Sequence, residues 1–170
     1  MSSEQLHTKC APPERLSINE VQEEREKLSG HICSSYFDFF PLPLIVLNSH
    51  RQIVFSNKAF LDILDINDLG NFLGLRPGEA MGCSYANVEE AGCGTFTFCR
   101  ECGALRAVLE SMINNSKTQH DCQLLIKHDD ESSAKDLRIF VSPWDVEDGK
   151  YYVVIRAVHG KQQYDKECFY

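Results

Sequence analysis

The sequence has no surplus of basic charge: 17 Lys and Arg face 25 Asp and Glu across 170 residues, a formal net charge of -8. That argues against a nucleic-acid backbone or an anionic membrane surface as the main partner, since either rewards clustered cations. Long hydrophobic runs are missing as well. The longest, residues 39–47, is broken by Pro41 and Pro43 and is too short to cross a bilayer. The opening MSSEQLHTK lacks the apolar core of an export signal, so the expected location is cytoplasmic. Catalytic signatures are equally scarce: there is no Gly-x-Ser-x-Gly, phosphate loop or His-Glu-x-x-His, and no kinase or cyclase module after Gly160. The six histidines form no metal-binding helix pattern with carboxylates. The expectation is a protein that is not an enzyme.

What remains is ordinary in bulk, 43% hydrophobic and 25% charged, which suits one globular domain with extensions. Residues 1–16 are polar with a Pro-Pro pair and read as a disordered tail. Residues 17–35 read as a helix and linker, opened by the capping box Ser17-x-x-Glu20. Val21 and Leu28 are its thin apolar face, a heptad apart, suited either to lying on the domain or to pairing two chains in a homodimer. The folded domain is expected over 36–160, with a tail over 161–170.

Within it, residues 44–47 and 52–55 flank the turn Asn48-Ser49-His50-Arg51 as a β-hairpin. Ser56-Asn57 caps a helix over 58–66, with Phe60, Ile63 and Leu64 on one face. The clearest helix covers 104–117, where Leu105, Val108, Leu109, Met112 and Ile113 make an apolar stripe. Strands are expected over 120–127, 136–142 and 151–158. Five antiparallel strands with helices inserted after the second predict an α+β domain with the helices on one face of the sheet. The hairpin PLPLIVLNSHRQIVFSNKAF, the long helix before the third strand and the closing YYVVIRAV together resemble a PAS domain over residues 36–160.

The long segment before that helix, residues 75–103, has no apolar periodicity, and a loop of that length in a compact domain needs a function or a staple. Its stretch CSYANVEEAGCGTFTFCRECG concentrates four of the chain's eight cysteines, Cys83, Cys93, Cys99 and Cys102. Thiols clustered in a chain without an export signal suggest metal or redox chemistry rather than disulfides. Four thiolates suit a tetrahedral zinc or an iron-sulfur cluster. Structural zinc usually uses two Cys-x-x-Cys knuckles, whereas here there is one, Cys99-Arg100-Glu101-Cys102, and glycines flank three of the cysteines. Gly94 and Gly103 are among them, and they let backbone N–H groups approach the sulfur atoms. The start of the long helix beside Cys99 and Cys102 is expected to lower their thiol pKa values.

The strings GLRPGE, GC, GCGT and CRECGA are similar to a cysteine-rich PAS variant of bacterial sensor proteins. That resemblance implies an iron-sulfur cluster on Cys83, Cys93, Cys99 and Cys102, with 4Fe-4S favoured over 3Fe-4S or 2Fe-2S and zinc the alternative. It also implies redox or oxygen sensing passed to a signalling partner such as a histidine kinase or other output domain. Haem does not fit, because residues 104–117 hold no histidine and Gly103 follows Cys102 where a c-type site needs histidine. Flavin-binding relatives carry Asn-Cys-Arg-Phe-Leu-Gln, of which only Cys99-Arg100 is present. Around the site, Arg76-Pro77-Gly78-Glu79 reads as a type II turn. Arg76 and Glu79 are either solvated or a charge pair over the cluster. Cys122 is either a small core residue or a fifth thiol facing the site. Cys10, Cys33 and Cys168 look incidental.

Overall fold

A computed structural model describes residues 10–31, 34–128, 131–147 and 149–158; Cys33, Cys168 and the segment 161–170 lie outside them. Helix α1 (Ile18–Ser29) opens on the expected capping box: Ser17 accepts from Glu20 N, and Glu20 accepts from Ser17 N at 2.7 Å. Val21 and Leu28 are buried in the domain's own core, so the heptad pair serves the core rather than a seam between chains. A short α2 (Ser34–Asp38) places Phe37 edge-on to Phe55 and near Trp144.

The hairpin is formed by β1 (Leu44–Leu47) and β2 (Ile53–Ser56), with Arg51 in the left-handed region at φ +64. Asn57 is fully buried and anchors this corner. Its Oδ1 accepts from Leu44 N and Phe60 N, and its amide donates to the carbonyls of Phe37, Phe40 and Leu42. It also caps α3 (Lys58–Leu64), which ends earlier than expected at Asp65 in the left-handed conformation. Phe60, Leu61 and Leu64 face inward there, while Ile63 is exposed.

The sheet is completed by β3 (Thr118–His128), β4 (Glu131–Val146) and β5 (Gly149–Val158), in the antiparallel order β2-β1-β5-β4-β3. The last three strands run longer than periodicity alone predicted. Register puts Ile45, Leu47, Cys122, Leu137, Ile139, Val154 and Arg156 on one face.

Helix α5 (Gly103–Asn114) packs on β3 and β4. Its buried face is Ala107, Val108 and Ser111, with Ala104 and Met112 partly buried, and Ile113 is exposed, so the helix is rotated from the expected stripe. The small side chains explain the rotation by allowing close approach: Thr118 Oγ1 donates to the Ala107 carbonyl at 2.7 Å. Among the described residues no helix is long and apolar enough to cross a membrane.

Candidate functional site

The residues between β2 and α5 hold a one-turn helix α4 (Pro77–Ala80) and a 3-10 turn at Thr97–Glu101. The expected type II turn at residues 76–79 is thus a helix start. Proline fits the first turn of a helix, where its missing N–H costs nothing. Glu79 then reaches back to accept from Arg76 N at 2.9 Å.

Arg76 is neither solvated nor paired side chain to side chain with Glu79. It is fully buried, and its guanidinium donates to six backbone carbonyls: His50, Ala91, Cys93, Pro12, Pro13 and Glu14, at 2.9–3.4 Å. Desolvation, with Arg51 and Arg15 nearby, brings its pKa down to about 10, so it stays charged at neutral pH. Residues 12–14 are therefore held firmly, although composition read them as tail. Ala11 is also buried, with its N–H on the Gly94 carbonyl at 3.1 Å. A polar, proline-rich segment offers free carbonyls, and the five N–H groups of a buried guanidinium are shared among them.

Glu79 takes an ion pair from Arg15 and the N–H of Cys93 at 2.9 Å. Burial opposes its ionisation, but these hydrogen bonds outweigh it and hold the carboxyl below its ordinary 4.5. Glu79 and Arg76 thus fix Cys93 from both sides, at its N–H and its carbonyl.

Each cysteine has its own anchor. Cys83 N–H donates to the Gly78 carbonyl at 2.8 Å, and a bridge pairs Cys83 with Ile126 of β3. Gly78 leaves room beside both Cys83 and Cys93, since a Cβ there would lie 2.6 Å from Cys93 Sγ and 3.3 Å from Cys83 Cβ. Gly94 has φ +90, a conformation that side-chain-bearing residues rarely adopt. Cys99 sits in the 3-10 turn, with its N–H on the Phe96 carbonyl at 2.9 Å. Cys102 is the N-cap of α5, and its Sγ lies 4.0 Å from Cys122 Sγ. Gly103 makes that approach possible: a Cβ on it would fall on the Asp121 carbonyl oxygen, at 1.8 Å.

Electrostatics separates the thiols. A hydrogen bond from the Cys122 thiol draws Cys102 down to about 6. Burial opposes the shift and the backbone N–H groups of Leu105 and Ala104 reinforce it. Cys122 moves up for the complementary reason. Burial pushes Cys93 up to about 12 and also raises Cys83 and Cys99. The thiolate is therefore favoured at Cys102, chiefly by Cys122 with a smaller contribution from the helix start, and not at Cys99, contrary to expectation. Cys10, dismissed on sequence, contacts the Phe96 carbonyl at 2.9 Å.

Cys83, Cys93, Cys99, Cys102 and Cys122 line one cavity of about 350 Å³, together with Arg51 and Arg76. Among the described residues, no three His, Cys, Asp or Glu side chains converge closely enough to hold a single metal ion. The buried positive charge is also incompletely answered. Arg51 and Arg76 are buried, the carboxylate of Glu79 near them is already paired with the more exposed Arg15, and Arg51 Nε has no hydrogen-bond partner. A negatively charged group with thiolate ligands, wider than one ion, fits this cavity. Sequence gave no signal for Arg51, whose left-handed turn position only the folded hairpin displays.

No protein-family model matches the sequence, and neither does any curated protein. Solved structures do resemble it. The PAS domain of nitrogen regulation protein NR(II) from Vibrio parahaemolyticus is 10% identical, with a TM-score of 0.51 over 74% of this chain and 95% of that one. The Rhodobacter sphaeroides LOV protein is 14% identical, with a TM-score of 0.51 over 83% of this chain and 70% of that one. The strand order β2-β1-β5-β4-β3, the helices inserted between β2 and β3, and these likenesses identify the fold of the chain as that of a PAS domain.

Proposed function

We propose that the chain is a redox- or oxygen-responsive PAS sensor in which Cys83, Cys93, Cys99 and Cys102 hold an iron-sulfur cluster, in its 4Fe-4S form, and which signals to a partner protein. The observation that carries this reading is one cavity lined by all four thiols, with Arg51 and Arg76 buried against it and Arg51 Nε unpartnered. A lone zinc needs its sulfur ligands within about 2.3 Å of one point. The spread of the thiols around a cavity favours a larger group. Such a cluster supplies electron transfer at a potential set by its ligands and surroundings.

The chain's own residues carry the consequence outward. Cys102 caps α5, which packs on β3 and β4, and Cys83 is bridged to β3. Arg76 ties the cysteine segment to residues 12–14, immediately before α1. When the four thiols are freed, the segment 75–103 loses its cross-links, and both α1 and the sheet feel the change. An order-to-disorder step of this kind is a common switching device. Tyr85 stacks on both Phe96 and Phe98, whose rings are tilted to each other, and Phe98 is exposed, so the segment presents an aromatic surface that changes with it. The partner is a signalling protein such as a histidine kinase or other output domain.

The test is tryptic digestion of the full chain, prepared without oxygen and then exposed to air. Cleavage after Arg100 is expected to accelerate with exposure, in step with the loss of visible absorbance. Equal cleavage rates before and after exposure would overturn the switching mechanism.

A further inference from the structure

Cys122 is not among the proposed ligands, yet its Sγ is 4.0 Å from Cys102 Sγ, and both side chains face the same cavity. Their backbones are locked side by side, because Gly103 rests directly on the Asp121 carbonyl and a Cβ on it would lie 3.3 Å from Cys122 Cα. A disulfide requires an S–S distance of about 2.0 Å, so closure asks for about 2 Å of sulfur movement, within reach of side-chain rotation and a small shift of the helix end. We infer that Cys102 and Cys122 form a reversible disulfide when the site is empty, so that the sulfur of Cys102 has two exclusive uses, metal ligand and disulfide partner.

A hydroperoxide is a sufficient oxidant. The Cys102 thiolate attacks one peroxide oxygen and becomes a sulfenic acid, and the other oxygen leaves as water after protonation. Cys122 then attacks that sulfur, the S–O bond breaks, and hydroxide takes up the Cys122 proton as water. Two thiols lose two electrons, and one hydrogen peroxide becomes two waters. The bond locks the start of α5 to β3 and blocks reloading of the site until a dithiol reduces it. That exclusivity rests on Cys102 being a ligand; the bond itself does not.

The test treats the full chain, purified without oxygen and assayed for iron and zinc, with hydrogen peroxide, then alkylates and digests it with trypsin. Residues 101–106 and 118–127 form tryptic peptides that each hold one cysteine, Cys102 and Cys122. These two are expected to appear linked, to separate with dithiothreitol, and to be absent in Cys122→Ser, where Cys102 is instead trapped by dimedone as sulfenic acid. Circular dichroism of Cys122→Ser, expected to match the parent, removes misfolding as an explanation. Peroxide treatment that leaves both peptides alkylated, or links Cys102 to Cys99, overturns the inference whatever the metal. Absence of metal with the linked peptides present overturns the ligand reading alone.

Discussion

Arg76→Ala is expected to destabilise the domain by about 3–5 kcal/mol, because several buried carbonyls lose their donor at once. The guanidinium serves six carbonyls drawn from three separate parts of the chain: the N-terminal segment, the hairpin turn and the cysteine segment. Each acceptor left buried and unpaired costs about 1–3 kcal/mol, although water entering the vacated space recovers part of that. Removing the charge also relieves its repulsion with Arg51, which is why the estimate is well below the sum of the individual bonds. Arg76→Lys is expected to recover less than half of the loss, because a flexible ammonium cannot reproduce the planar fork of donors. Urea denaturation of both variants checks this. A change within about 0.5 kcal/mol, ordinary for surface substitutions, would mean that Arg76 does not hold these segments together.

Gly103→Ala carries the second large effect, and its sign is diagnostic. Helix propensity alone predicts a gain of about 1 kcal/mol for replacing glycine by alanine. The backbone contact predicts the opposite. The new Cβ would sit 1.8 Å from the Asp121 oxygen and 2.8 Å from its carbonyl carbon, both main-chain atoms that cannot rotate away. The end of α5 must then lift from β3, at a cost of about 3 kcal/mol, near the upper part of the overpacking range. Cys102 moves with it, so metal content and linkage to Cys122 should fall together. Equilibrium unfolding with thiol mapping tests this, and a stabilised variant would contradict the close docking of helix on strand.

Much of this was legible in advance, for physical reasons. The capping box at Ser17 and the Asn57 cap are local signals, and local signals survive into the fold. The PAS arrangement followed from their order. Tertiary packing decided what the pattern could not. The stripe on α5 was misjudged because Ala107 and Ser111, neither strongly hydrophobic, let the helix sit close to the sheet, leaving Ile113 outside. The thiol cluster was visible as spacing and Arg76 as a candidate beside it, but the burial of Arg76 and the presence of Arg51 were not. Arg51 carries no motif and is distant in sequence from Arg76; only the hairpin turn and α4 bring the two to one cavity. Residues 10–14 were misread for the same reason, since an apolar pattern is not what holds them; carbonyls facing a buried guanidinium are.

The central claim, that Cys83, Cys93, Cys99 and Cys102 hold an iron-sulfur cluster, is tested most directly on the full chain purified without oxygen. Visible absorption is read together with iron, sulfide and zinc content of one sample. A brown protein with iron and sulfide in equal amounts, lost on Cys99→Ser or Cys93→Ser and kept on Cys122→Ser, is the predicted result. A colourless protein holding one zinc, or no metal at all, would contradict it.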